Sequence, residues 1–273
     1  MRKRLQLQRL MHSDNFLPDY SLSLKRKLKA AAFFLLLLFS YRYESILKIQ
    51  AHYLGTPNSD AGLYLWLFKS NLQDLFSLTW FNTKGFYPYT QSLAWSDNFI
   101  LPSIIAWPFV KLGVSITIAY NAILLLANFL NAYLTFRFSY QISKFYLGSI
   151  LAGTCFFSFP FLSMHLGHPQ LQFAFWIPLT LIFFFKAFNT RHFLYALLTG
   201  LIVFLSFLTS VYYTFFILVL LKLIFLSLLL QKKAYFTLSK LGRWASGFTL
   251  GFAPIVFFAF PYLAVKELSL IHI

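Results

Sequence analysis

Cysteine occurs once in this chain, at Cys155, so no disulfide can close within it, and neither a CxxC redox pair nor a cysteine-based zinc site can form. Acidic residues are also scarce, with seven Asp and Glu against 23 Lys and Arg. Charged residues make up 11% of the chain, too few for the surface of a soluble domain. No HExxH, GxSxG or Gly-rich phosphate loop occurs, which removes the usual signatures of zinc proteases, serine hydrolases and nucleotide-binding loops.

What remains is apolar and aromatic. The chain is 59% hydrophobic, carries 36 phenylalanines and has a mean hydropathy of +0.68. Its apolar stretches are continuous rather than alternating, which points to membrane-spanning helices and away from a β-barrel. The formal net charge of +16 raises the question of nucleic acid. However, the basic residues gather in short segments between apolar runs, as they do on the cytoplasmic side of multi-span proteins. A nucleic-acid partner is therefore not expected.

The fold class expected is all-α: a polytopic helical membrane protein with about seven transmembrane helices and amphipathic surface helices in a long first outer loop. Residues 1–27 read as a cytoplasmic basic tail. The first apolar run begins only near Leu28 and has no small-residue cleavage site after it, so it reads as an uncleaved span over 28–47. Arg42 and Glu44 are expected to pair at its far end. Further spans are expected at about 114–136, 145–162, 170–187, 192–209, 211–230 and 245–263. Residues 99–112, FILPSIIAWPFVKL, are apolar but short and carry Pro102 and Pro108. If they do not cross, Arg137, Lys144, Lys186, Arg191, Lys232, Lys233, Lys240 and Arg243 all fall on the side of the N-terminal tail. If they cross, every later loop inverts against the charge rule. The non-crossing arrangement puts a first outer loop at 48–113 and a second at 163–169, with the N-terminus cytoplasmic. The ending KELSLIHI reads as an artefactual tail over 265–273 on a chain truncated at its C-terminus.

Polar residues then collect on one face. Asp60, in GTPNSDAGLYLW, sits where a helix begins. It reads either as an N-cap or as a carboxylate acting as base or metal ligand. Asp97, in LAWSDNFILP, offers the same pair of readings. Asp74 reads as part of a solvated helix face. In SMHLGHPQLQF, His165 and His168 are spaced i, i+3, and Gln170 and Gln172 extend the patch. This stretch is either a hydrophilic hairpin or a site at the ends of spans. Tyr212 and Tyr213 close another outer end and also suit an interfacial aromatic belt. Gly148, Gly153, Gly200 and Gly247 suit close helix packing.

The order of several short words resembles the GT-C superfamily of membrane glycosyltransferases, and more narrowly its bacterial members. The words are SDAGLYLW, FYP at Phe86–Pro88, LAWSD at Leu93–Asp97, AYN at Ala119–Asn121, FSFP at Phe157–Pro160, HLGHPQ, WIPL at Trp176–Leu179 and SVYY at Ser210–Tyr213. The resemblance covers about Leu28 to Ala264. It implies transfer of a sugar from a polyprenyl-phosphate donor to an acceptor outside the bacterial cytoplasmic membrane, with membrane lipids as surroundings. It implies Asp60 as base or metal ligand, with Asp97 the second catalytic candidate. His165, His168, Gln170, Lys84, Tyr212 and Tyr213 are the expected substrate-binding residues, with Lys69 a further phosphate candidate. Oligosaccharyltransferase-like relatives carry a second acidic motif where this chain has His165, His168 and Gln170, so no cofactor is assigned and a divalent metal stays open. Two other classes fit the same composition: a transporter or flippase of a lipid-linked substrate, and a non-catalytic assembly subunit. A transporter is expected to show internal repeats and midplane polar groups, and no convincing repeat is found.

Overall fold

Long apolar runs with little Gly or Pro have one way to satisfy their backbone in hydrocarbon, which is to coil into helices. The computed structural model describes residues 22–55, 59–77, 80–82, 90–190, 192–231 and 238–265, and every regular element among them is helical. In chain order these are α1 Leu24–Leu47, α2 Ala61–Gln73, α3 Ile100–Lys111, α4 Ile116–Ser143, α5 Tyr146–Phe157, α6 Pro160–Met164, α7 Trp176–Thr190, α8 Phe193–Phe207, α9 Val211–Gln231, α10 Leu238–Phe252 and α11 Ile255–Ala264. Two 3₁₀ turns, Ser92–Trp95 and Pro169–Gln172, punctuate the loops.

Four helical stretches are long and apolar enough to cross a membrane: Leu24–Leu47, Ile116–Ser143, Tyr146–Met164 and Val211–Leu230. The pair Leu241–Phe252 and Ile255–Ala264, bent by 60°, makes a fifth if it acts as one span. The spans expected at 170–187 and 192–209 are shorter. α7 and α8 have 15 residues each, roughly 22 Å of helix against a hydrocarbon core of ~30 Å. Pro169 opens the 3₁₀ turn over Pro169–Gln172, so regular α-helix resumes only at Trp176.

The long helix α4 is the hub. Ser115 caps it by accepting from the Ile118 N–H at 3.3 Å. One of its faces takes up Ala30, Phe34 and Leu38, the only buried residues of α1. Their i, i+4, i+8 spacing makes a single stripe, and the rest of α1, Leu35 and Leu36 included, stays exposed as befits a lipid-facing edge helix. The expected Arg42–Glu44 pairing does not form. Positions two apart point to different sides of a helix. Arg42 leaves helical geometry and donates to the side-chain oxygen of Asn128 at 3.4 Å, while Glu44 accepts from the Tyr43 hydroxyl at 3.0 Å.

Whether residues 99–112 cross is decided by where the neighbouring helices end. Asn121, in the second turn of α4, donates to the carbonyls of Ile49 and His52, both at 2.8 Å, and accepts from the Leu54 N–H at 2.7 Å. The chain therefore starts α4 at the same end at which α1 stopped, and residues 48–115 make no net crossing. α3 itself has 12 residues, roughly 18 Å of helix, and its first turn is tied to the end of α8 by Leu101 N–H to Leu208 C=O at 2.8 Å. At the opposite end, the Tyr146 hydroxyl donates to the Arg26 carbonyl at 3.2 Å, joining the starts of α1 and α5.

α8 and α10 approach through glycine. A Cβ on Gly200 would lie 2.1 Å from the Phe248 carbonyl, and one on Gly251 would lie 2.1 Å from the Leu197 carbonyl. Gly247 faces Ala196 in the same seam, and Gly153 lets α5 close on the Ala132 carbonyl of α4. At Gly148 the atoms nearest to an added Cβ belong to Phe145, at the start of its own helix. Backbone cannot yield as a side chain can. Gly200→Val and Gly251→Val should each lower the midpoint of thermal unfolding in detergent, by a loss of roughly 1–3 kcal/mol or more. Gly242→Ala, in the same helix as Gly251 but facing open space, should not lower it and should raise stability by up to about 1 kcal/mol.

Candidate functional site

The loop between α1 and α2 and the loop after α6 meet where Asp60 contacts His168. Asp60 precedes α2, but its carboxylate does not cap that helix. Ser59 Oγ takes that place, accepting from the Ala61 N–H at 3.3 Å. The carboxylate is thereby free to reach His168, whose Nδ1 lies 3.0 Å from Oδ2. Both side chains are about half exposed, 45% for His168 and 55% for Asp60. Of the two readings of Asp60, the N-cap is thus not the one realised.

The histidine loop is built rigidly enough to hold this pair. Gln172, buried, donates from Nε2 to the carbonyls of Leu162 at 3.0 Å and His165 at 2.9 Å. Asn131 of α4 donates to the Gln172 carbonyl at 2.8 Å, and the Tyr213 hydroxyl donates to the Leu171 carbonyl at 2.6 Å. His165 Nδ1 lies 2.8 Å from the Phe161 carbonyl, and its ring rests 4.2 Å from the Phe161 ring and 5.8 Å from that of His168.

Asp97 belongs to a second, buried arrangement nearby. It is 2% exposed. It does not cap the helix that follows it, because Asn98 Oδ1 accepts from the Ile100 N–H at 3.1 Å. Asp97 instead caps α9, over a hundred residues away, accepting from the Val211 N–H and, at 3.5 Å, from Ser210 Oγ. Tyr64 and the Tyr212 N–H also donate to it. Burial is the largest influence on this carboxyl and pushes it up to about 6, against the opposing pull of those hydrogen bonds. Tyr64 stands between the two acidic residues. Burial, then the negative charge of Asp97, and more weakly that of Asp60, hold its hydroxyl well above its ordinary range.

A cavity of about 520 Å³ opens beside Asp97, lined by Ala94, Ser96, Asp97, Val211, Tyr212, Phe215, Phe216 and Tyr262. Its walls are mainly apolar, and Tyr212, Phe215 and Phe216 are exposed along the outer face of α9. Tyr262 closes the far side, donating to the Ser96 carbonyl at 3.0 Å.

The residues picked out from sequence therefore separate. Asp60 and His168 touch, with His165 beside them. Asp97 and Tyr212 line the cavity. Tyr213 is buried and braces the histidine loop. Gln170 is buried at 5% exposure, away from solvent. Lys84 lies outside the described residues. Asp74 follows the end of α2 and donates its N–H to the Ser70 carbonyl at 3.0 Å. Trp80 stacks on Phe258, with centroids 5.2 Å apart, and serves packing. Sequence reasoning missed Tyr64 and Asn98. Tyr64 stands one helical turn after Asp60 in SDAGLY, an i, i+4 relation that could have drawn attention to it.

Among the described residues, no three His, Cys, Asp or Glu side chains come together. The Asp60–His168 pair alone is not the set of three or more protein ligands that zinc sites use. No protein-family model, curated protein or solved structure matches this chain.

The position of Asp97 carries a stability consequence. Its folded-state value lies above the ordinary carboxylate range, so the folded protein holds a proton that the unfolded chain releases. That contribution is full below pH ~4 and is lost as pH rises through about 6. Asp97→Asn should remove this part of the pH dependence. Melting curves of both proteins from pH 4 to 8 should converge at low pH and diverge by up to roughly 3 kcal/mol in favour of the variant above pH 7.

Proposed function

We propose that this chain is an integral-membrane glycosyltransferase of the GT-C type, moving a sugar from a polyprenyl-phosphate donor to an acceptor hydroxyl outside the bacterial cytoplasmic membrane. The observation that carries the reading is the Asp60–His168 pair, formed by the two outer loops at the end of the bundle where the Asp97 cavity opens.

Each part of the transfer has a group suited to it. A lipid-linked donor keeps its hydrocarbon in the bilayer and its phosphate at the surface. The cavity offers Phe215 and Phe216 to the hydrocarbon chain, and Ser96 and Tyr212 add hydroxyls to its lining. The incoming hydroxyl must lose a proton, and the half-exposed Asp60–His168 pair is a proton acceptor open to solvent. Asp97 keeps the start of α9, and with it Val211 and Tyr212, in place at the cavity. The phosphate that departs needs hydrogen-bond donors, for which His165, Tyr212 and Lys69 are candidates.

The orientation follows from charge. Lys25, Arg26, Lys27 and Lys29 begin α1, Lys144 ends α4, Lys186 lies in the last turns of α7 and Arg243 in the first of α10. All belong to the end away from Asp60. The loops at 165–175 and 208–210 hold no Lys or Arg. The positive-inside rule supports an extracytoplasmic Asp60 end and a cytoplasmic N-terminus, against the four lysines Lys48, Lys69, Lys84 and Lys111 of the long first loop.

The test is transfer of a labelled sugar from a polyprenyl-phosphate donor by the purified chain in liposomes. The expected result is product formation that Asp60→Asn slows by about 10²-fold or more. Movement of the lipid-linked sugar across the bilayer without any transfer would replace this reading with a flippase, and an Asp60→Asn protein as fast as wild type would remove Asp60 from the chemistry.

A further inference from the structure

We infer that His168, not Asp60, is the base that accepts the acceptor proton, and that Asp60 is the positioning residue that fixes its imidazole. The inference rests on the proposed transfer for the identity of the proton donor, but not for the state of the imidazole itself.

The geometry runs as in a carboxylate–histidine dyad. Asp60 Oδ2 accepts only, so the hydrogen in the 3.0 Å contact sits on His168 Nδ1. That leaves the lone pair on Nε2, at the other side of a ring that is 45% exposed. An isolated neutral imidazole prefers its proton on Nε2, so Asp60 inverts the ordinary tautomer and turns the basic nitrogen outward. His165 is held in the same tautomer by the Phe161 carbonyl at 2.8 Å. Its partner is neutral, whereas His168 has a carboxylate that stabilises the imidazolium formed on proton transfer. This distinction selects His168. Asp60 Oδ2 is already engaged as the acceptor of the Nδ1–H, whereas the Nε2 lone pair is not used in that contact.

The step balances as follows. The acceptor oxygen forms a bond to the anomeric carbon as the bond from that carbon to the phosphate oxygen breaks. The electron pair leaves with the polyprenyl phosphate. The acceptor proton passes to His168 Nε2 and from there to water.

Two measurements test this. The first uses ¹⁵N-labelled histidine in the full chain, with His168 assigned by His168→Gln. At a pH where the ring is neutral, wild type is expected to show the Nδ1–H, Nε2-lone-pair pattern, and Asp60→Asn is expected to lose that preference. Nε2–H as the major form in wild type would overturn the inference, whatever the enzyme transfers. The second measures transfer by His168→Gly, with folding checked by its melting curve. The rate is expected to fall by about 10²- to 10⁴-fold and to recover in part on adding free imidazole. His168→Gly working within twofold of wild type would overturn the inference, as would a slowed variant that imidazole does not rescue. Wild-type protein with the expected tautomer and no transfer would instead count against the glycosyltransferase reading and leave the dyad in place.

Discussion

Backbone that leaves a helix within an apolar surrounding must find hydrogen-bond partners in the protein itself. Among the described residues the partners include side-chain amides, tyrosine hydroxyls and the Asp97 carboxylate, and much of the Asp60 end depends on them. Asn121 gathers the Ile49, His52 and Leu54 backbone after α1. Asn98 reaches the Phe207 carbonyl at 3.0 Å and the Tyr262 hydroxyl at 3.3 Å, while its own carbonyl accepts from Asn71 at 2.9 Å. Gln172 holds the loop after α6, and Asp97 takes the first N–H groups of α9. The Asn121, Asn98 and Asp97 bonds join segments distant in sequence, so these helix ends are fixed to one another and not merely packed.

The candidate site is a consequence of these anchors. Gln172, Asn131 and Tyr213 set the loop from which His168 reaches Asp60. Asp97 sets the start of α9, where Tyr212, Phe215 and Phe216 flank the cavity. The two halves differ in solvent exposure and so in chemistry. The Asp60–His168 pair is open to water and suited to moving protons. Asp97 is buried, its oxygens taken up by neighbouring donors, and is suited to holding structure. Tyr64 lies between them and feels both charges.

Much of the helical order was legible in the sequence because the apolar runs of α1, α4 and α9 are long and continuous. The shortness of the helix over residues 99–112 was legible too, from Pro102, Pro108 and the brief apolar run. The late start of α7 was not, because it depends on how the loop opened by Pro169 lies against Asn131, a contact set by packing. The partner of Asp97 was hidden for a similar reason: an Asp just before a helix suggests a local cap, and the helix it caps lies over a hundred residues away. Gly200 and Gly247 were readable as packing glycines. Gly251, one turn past Gly247 on the same seam, was not singled out because only the closeness of α8 shows its purpose. Asp60 and His168 each stood out, but nothing in their spacing said that they touch.

The central claim is that the loop after α1 and the loop after α6 meet at Asp60 and His168 on one end of the bundle. It is tested most directly by proximity in the membrane. Cys155 is first replaced by Ser, and cysteines are then introduced at 60 and 168, or at 144 and 168 as the separated pair. Treatment with a short bifunctional thiol reagent, followed by cleavage at a protease site inserted between the paired positions, reports the link. The account predicts that the 60/168 fragments stay joined and the 144/168 fragments part. Fragments of the 60/168 protein that separate as readily as those of the 144/168 protein would contradict it.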